Sequence, residues 1–240
     1  MSTYDAFASE YDAIAELYDP WSRSVTEDIG FYVAEARKAR GPVVELGVGT
    51  GRIAVPVAEA GVPVIGVDSS AGMLEVCRRR AAAAGVERLL DLRLGDLRDP
   101  PVDDRVRLVT SPFRALLHLD TDADRRAALT AAFGLLAPGG RFVFDVFAPS
   151  PEDVEETHGR WLEREPGIWE RADWDLERRI LTLHVRGAHS ETAMRLAWLP
   201  PGDWRALLEA TGFEVVACYG WFDLSPHKGG EDTVWLARRP

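Results

Sequence analysis

The segment Val43-Val44-Glu45-Leu46-Gly47-Val48-Gly49-Thr50-Gly51-Arg52 sets a short apolar run directly before a loop with glycine at every second position. A helical pattern from Ile53 to Ala60 follows, and Gly61 closes it. Glycines add no Cβ and accept unusual φ/ψ, so such a turn lets backbone approach a ligand closely. The apolar run reads as a buried strand, and the strand–loop–helix unit then repeats. Pro63 to Asp68 reads as a second strand, Ala71 to Ala84 as a helix stopped by Gly85, and Leu89 to Leu94 as a third strand. Val106 to Thr110 makes a fourth strand, Asp122 to Leu136 a long helix, and Arg141 to Phe147 a fifth strand after Pro138-Gly139-Gly140. A helix from Val25 to Ala39 precedes them all, with Ile29, Val33 and Ala36 on one face and Gly41-Pro42 ending it. Alternation of this kind gives a parallel sheet covered on both faces.

The alternation breaks after Phe147. From Trp161 to Trp198 no helix period is visible, and Leu181, Leu183 and Val185 alternate with Thr182, His184 and Arg186. That is the pattern of a half-buried antiparallel strand, one of three in a small meander. Regularity returns with a helix from Pro201 to Thr211 and strands over Phe213 to Tyr219 and Thr233 to Ala237. The expected fold is α/β: a doubly wound, Rossmann-like, mostly parallel seven-stranded sheet, with a small antiparallel β cap inserted before the last α/β unit. The expected division is 1–158 for an N-terminal lid helix and the core, 159–199 for the cap, and 200–240 for the elements that complete the core sheet.

Acidic residues number 39 and basic ones 28, a net charge of −11. A chain this acidic is repelled by phosphate backbones unless it carries a local basic patch. The longest basic run is Arg78-Arg79-Arg80, so nucleic acid is not an expected partner. No apolar run approaches the ~20 residues of a membrane span. Asp5, Glu10 and Asp12 stand where a signal peptide needs positive charge, so the cytoplasm is the expected compartment. There Cys77 and Cys218, far apart and without CxxC spacing, are expected as reduced, buried thiols. The histidines and cysteines show no ligand-like spacing, and no metal is expected.

The glycine loop departs from the dinucleotide fingerprint G-x-G-x-x-G, which sets a pyrophosphate on the helix N-terminus. Arg52 stands at the third glycine position, and the extra glycine is Gly51. Glu45 sits poorly beside a pyrophosphate and suits a cationic group. Asp68 ends the second strand, where a carboxylate accepts both ribose hydroxyls of a nucleoside. Asp96, in Gly95-Asp96-Leu97 after the third strand, suits an adenine amino group, and Met73 offers an apolar face to the ring. Read blandly, the loop is a tight turn, the two aspartates are caps, and Met73 is core. Together these features ask for adenosine bearing an amino-acid-like tail and no phosphate.

The motifs Glu45-x-Gly47-x-Gly49-x-Gly51, Val64-Ile65-Gly66-Val67-Asp68, Gly95-Asp96-Leu97 and Leu136-Ala137-Pro138-Gly139-Gly140, in this order, resemble the class I S-adenosylmethionine-dependent methyltransferases. The likeness covers most of the chain and lies in the small-molecule branch, with the amino-sugar and small-amine N-methyltransferases. It implies S-adenosyl-L-methionine as cofactor and S-adenosyl-L-homocysteine as product. It implies the methionine tail at Gly47, Gly49 and Gly51 beside Glu45, the ribose at Asp68 and the adenine at Asp96, with Ser69, Met73, Gly95, Leu97 and Phe113 also in contact with the cofactor. The Tyr11-Asp12 and Tyr18-Asp19 pairs look like the N-terminal helix that closes over the cofactor, with Tyr18 helping to position the methyl group. Val48 stands where many members have Cys, Ala or Ser, a departure of little consequence.

Methyl transfer from a sulfonium is an in-line displacement, so alignment supplies much of the acceleration. An amine or hydroxyl acceptor must also lose a proton, which a general base can take. In the family the segment after the fourth strand lies beside the sulfonium. Here it carries His118, whose ordinary pKa near 6.5 suits proton removal, and Arg114, a candidate partner for an anionic group. The loop Tyr219 to Pro226 resembles the one after the sixth strand in small-amine methyltransferases, with Trp221 and Phe222 as walls and Asp223 as the partner of a cationic amine. Trp161, Trp169, Trp174 and Trp198 fit either a lid with an apolar inner face or a dimer contact, so a monomer or a homodimer through the cap is expected. Glu152, Asp153, Glu155 and Glu156 read as a solvated face. The expected function is methyl transfer to a small-molecule acceptor at an amine nitrogen, with a hydroxyl oxygen as the variant. Arg52 and Asp96 argue against a nicotinamide-dependent dehydrogenase. A non-catalytic cofactor-binding protein of the same fold is the remaining alternative.

Overall fold

The computed structural model describes residues 11, 15–188 and 190–240. Asp5, Glu10 and Asp12 lie outside them. Residues 15–21 are helical (α1). Then come α2 (Glu27–Ala39), β1 (Val43–Leu46), α3 (Ala54–Glu59), β2 (Val64–Asp68), α4 (Ala71–Ala84), β3 (Leu90–Leu94), β4 (Val106–Ser111), α5 (Asp122–Leu135) and β5 (Leu136–Phe147). After α6 (Pro151–Thr157), a second sheet is built from β6 (Trp161–Glu165), β7 (Ile168–Asp175), β8 (Ile180–Arg186) and β9 (Glu191–Ala197). The chain closes with α7 (Pro201–Thr211), β10 (Glu214–Tyr219) and β11 (Asp232–Arg238).

The seven-stranded sheet has the order β10-β11-β5-β4-β1-β2-β3. Neighbours from β3 through β5 are parallel, and β11 runs antiparallel to both β5 and β10. β1 is buried at all four positions, as a central strand with both faces covered must be. The chain leaves β1 toward β2 and β3, then returns to its other side with β4 and β5. That reversal opens the crevice where ligands bind in such sheets.

Local chemistry sets the element ends. Ser70 caps α4 by accepting the Met73 N–H at 3.0 Å, and Gly85 ends it in a left-handed conformation. The Pro138-Gly139-Gly140 turn falls inside the bounds of β5. The ladder with β4 slips there, from Val106↔Leu136 to Leu108↔Arg141, and Arg239 closes the bulge by exchanging backbone hydrogen bonds with Gly139 and Gly140. Along β5, Phe142 and Phe144 face α7, where Phe144 meets Trp204 at 5.5 Å between centroids. Val143 faces the opposite layer with Tyr32 and Leu108.

The cap is a four-stranded antiparallel sheet in the order β6-β7-β8-β9, one strand more than expected. The extra strand is β6, whose Leu162, Glu163 and Arg164 are all exposed and show no alternation. A third apolar cluster, containing Ala15, Met73, Val76, Ile168, Val185 and Met194, binds α1, α4 and the cap together. The acidic run after β5 is α6, with Ser150 capping Asp153 N–H and Pro151 in the first turn. Cys77 is buried and Cys218 half-buried, and both thiols are free. Among the described residues no helix is long and apolar enough to cross a membrane.

Candidate active site

A cavity of about 450 Å³ opens at the carboxyl ends of β1, β2, β4 and β5, roofed by α1 and the inner face of the cap. Most of the expected residues line it: Tyr11, Tyr18, Glu45, Gly47, Gly49, Asp68, Ser69, Met73, Gly95, Leu97, Phe113, Arg114, His118, Trp221 and Phe222. Three do not. Gly51 serves packing, since a Cβ there would sit 2.5 Å from the Cys77 sulfur of α4. Asp96 turns away into the fork of Arg98, with Oδ2 at 2.6 Å from Nη2, and also accepts the Arg98 N–H at 2.8 Å. It closes a turn, and the loop offers Gly95 and Leu97 to the cavity instead. Asp223 is exposed and accepts the Ser225 N–H at 2.8 Å. Of the four cap tryptophans, Trp174 alone reaches the cavity.

The glycine loop is held from beneath by a carboxylate. Asp68 accepts the Gly49 N–H at 2.8 Å and the Ser70 N–H at 2.9 Å, tying the loop to the start of α4. Glu45 lies buried under the same loop. Burial, with the like charges of Asp28 and Asp68, pushes its carboxyl up to about 8 against the opposing pull of Arg52. Arg52, noticed in the sequence only as a missing glycine, grips both oxygens of buried Asp28 and the Val25 carbonyl at 3.1 Å. Its guanidinium also lies 4.3 Å over the Phe113 ring. The loop therefore reaches α2 on one side and the segment after β4 on the other.

Phe113 and Arg114 leave β4 in left-handed conformations, at φ 52 and φ 65, each costing of order 1–2 kcal/mol for a side-chain-bearing residue. Arg114 pairs with Asp232 at 3.0 Å. His118 ends the short 3-10 turn Ala115–His118. Its Nδ1 faces the Arg195 carbonyl at 3.3 Å and its Nε2 the Tyr11 hydroxyl at 3.0 Å. Burial pushes the ring well below its ordinary value, to about 3. The imidazole is neutral at working pH and is a hydrogen-bond acceptor at Nε2, a weaker base than its ordinary pKa implied. Tyr18 packs edge-on against Phe113 and Trp21, and burial raises its hydroxyl above the usual range.

The strap α1 is fastened on two sides. Asp19 accepts from Thr50 of the glycine loop at 2.6 Å and from Arg80 of α4 at 2.8 Å. Trp21 donates to Glu170 at 3.1 Å, and the Ser24 N–H to Glu165 at 3.0 Å, both in the cap. The far wall of the cavity carries Asp153, Glu231 and Asp232 beside Trp174, Trp221 and Phe222. Burial and the neighbouring Glu231 raise the Asp153 carboxyl. Asp153 belongs to the run read as a solvated face, and only the docking of α6 turns it inward. Glu231 and Asp232, at the start of β11, gave no sequence signal, because neither lies in a motif.

Residues 43–140 match the family model of a methyltransferase domain. An uncharacterized methyltransferase of Geobacillus kaustophilus is 32% identical over 188 residues, 76% of this chain and 81% of that one. A cypemycin N-terminal methyltransferase from Streptomyces is 25% identical over 236 residues, 94% of this chain and 93% of that one. Among solved structures, the CcbJ methyltransferase from Streptomyces caelestis superposes with a TM-score of 0.84 at 28% identity, covering 96% of this chain and 98% of that one. With the glycine loop, the switch-point cavity and these likenesses together, the chain belongs to the class I S-adenosylmethionine-dependent methyltransferases.

Proposed function

We propose that the chain transfers the methyl group of S-adenosylmethionine to an amine nitrogen of a small natural-product-like acceptor. The cavity fits this donor. The turn at Gly47 and Gly49 and the buried carboxyl of Glu45 suit a zwitterionic amino-acid tail, Asp68 suits a ribose, and Met73 and Leu97 supply apolar faces for adenine. When bound, the cofactor would supply a sulfonium methyl to the acceptor lone pair, the C–S electron pair leaving with sulfur as the thioether of S-adenosylhomocysteine. Tyr18, Phe113 and His118 wall the space between that half and the acidic wall and exclude water from it. His118 accepts a hydrogen bond through Nε2, in exchange for Tyr11, and so orients the nitrogen without storing its proton. The observation that carries the amine reading is the far wall: Asp232 is paired with Arg114, and Asp153 and Glu231, with aromatic rings beside them, are complementary to a cation. The Streptomyces relative's name, which specifies an N-terminus, accords with it.

The test is release of S-adenosylhomocysteine from the cofactor with matched panels of small amines, phenols and alcohols. Turnover is expected with amines, and turnover confined to hydroxyl acceptors would refute the reading. With an amine the rate rises with pH toward the acceptor's own pKa and shows no limb near 6.5, because His118 is already neutral. A limb at that pH would restore His118 as the base.

Cofactor binding should also release a proton. In the free protein Glu45, with its carboxyl near 8, is mostly protonated at pH 7, and an ammonium beside it favours the ionised form. Close to one proton leaves on binding at pH 7, and fewer leave as pH rises through 8. Calorimetry with S-adenosylhomocysteine in buffers of different ionisation enthalpy measures this. Glu45→Gln is expected to abolish the release and weaken binding by about tenfold. No release from the natural protein would place the ammonium elsewhere.

A further inference from the structure

Between β4 and the 3-10 turn carrying His118, two successive residues with side chains, Phe113 and Arg114, are left-handed. Such a pair persists only where its surroundings over-determine it, and here one side chain does so. Asp145, buried in the apolar run of β5, takes the Phe113 N–H on Oδ1 at 2.8 Å and the Arg114 N–H on Oδ2 at 3.1 Å. Tyr32 of α2 donates to the same Oδ1 at 2.6 Å. A carboxylate within a strand of phenylalanines and valines is costly unless fully satisfied, and Asp145 spends its bonds on this turn. The turn in its held form lays Phe113 under Arg52 at 4.3 Å, sets it edge-on to Tyr18 at 6.1 Å, and aims Arg114 at Asp232.

We infer that Asp145 is a positioning residue for methyl transfer: its two carboxylate oxygens fix the left-handed Phe113–Arg114 turn that walls the cavity between the cofactor half and the acidic face. The inference rests on the cofactor reading given above. An asparagine at 145 offers one carbonyl oxygen for two amides and turns an N–H₂ toward the other, so the turn loses an anchor. Glycine at 114 adopts φ 65 without penalty, so in that background the turn depends less on the carboxylate.

The experiment is a double-mutant cycle read as S-adenosylhomocysteine affinity by calorimetry, with Asp145→Asn, Arg114→Gly and the pair. Asp145→Asn is expected to weaken binding by about tenfold or more in the natural background, and by less than about threefold in the Arg114→Gly background. Equal factors in both would overturn the inference, because a general loss of stability is blind to residue 114. Should Asp145→Asn not fold, the natural protein still answers. Its Phe113 and Arg114 amides, though in a loop, are expected to exchange with solvent as slowly as those of β5, and rapid exchange in the folded protein would overturn the inference too. A natural protein that binds no S-adenosylhomocysteine would overturn the cofactor reading and this role with it. Protected amides in that protein would distinguish this from failure of the role alone.

Discussion

Asp68→Ala is expected to lower S-adenosylhomocysteine affinity by roughly 10² to 10³-fold, about 3–4 kcal/mol, while the fold remains. Two losses combine. The carboxylate is the acceptor suited to both ribose hydroxyls, and charge-assisted bonds of that kind are about twice as strong as neutral ones. It is also what holds the Gly49 and Ser70 amides, so the glycine loop, proposed above to take the amino-acid tail, loses its tie to α4. The side chain sits at the end of β2 and is only half-buried, so the core is not opened. Asp68→Asn keeps one acceptor and should fall between the two, near tenfold. Calorimetry with the product nucleoside, alongside circular dichroism, checks both variants. Unchanged affinity in the alanine variant would refute the ribose assignment.

Arg52→Ala is expected to cost stability more than binding, about 3–5 kcal/mol. The Arg52–Asp28 pair is buried, with side chains 10% and 1% exposed. Removing the guanidinium leaves the Asp28 carboxylate without compensation, beside Glu45 and Asp145, which burial and, to a smaller extent, its charge already push up. For a chain of this size the unfolding midpoint should fall by about 10 °C or more. An Arg52→Met, Asp28→Leu double variant removes both charges together and should recover much of the loss, since an apolar pair of similar volume replaces the ions. Thermal and urea unfolding of the three proteins decide it. A single-variant loss below about 1 kcal/mol would refute the view that Arg52 is what compensates the buried Asp28.

The parts of the fold legible in the sequence are those whose signal is local. β1, β2 and β4 are short, mostly apolar stretches, interrupted at Glu45 and Arg107, because both faces of a central parallel strand are covered, and α4 is bracketed by Ser70 and Gly85, which act within a single turn. β6 was not legible, because an exposed strand of Glu and Arg owes its form to pairing with β7, far from any periodic pattern. The same division runs through the site. Position after a strand places Asp68 and Asp96 on loops at the carboxyl end of the sheet, but not the direction of a side chain: Arg98, two residues on, draws Asp96 away, whereas Asp68, held by the Gly49 and Ser70 amides, stays in the cavity lining. Asp145 and Arg52 matter through bonds to residues more than twenty positions away, and no spacing rule reports such bonds. The His118 ring was identifiable by its place, while its pKa depends on how the cap excludes water from it.

The contact between Gly51 and the sulfur of Cys77 gives the protein an internal reporter. The thiol has no exposed surface, and burial with the nearby Glu45 charge pushes it up to about 12, so it is inert to alkylating and oxidising reagents while the glycine loop is seated. Lifting of the loop from α4 would uncover this sulfur, since the space that a missing Cβ leaves is the space the sulfur fills. The labelling rate of Cys77, set against half-exposed Cys218, is therefore a clock for opening of the cofactor loop, already built into the natural chain.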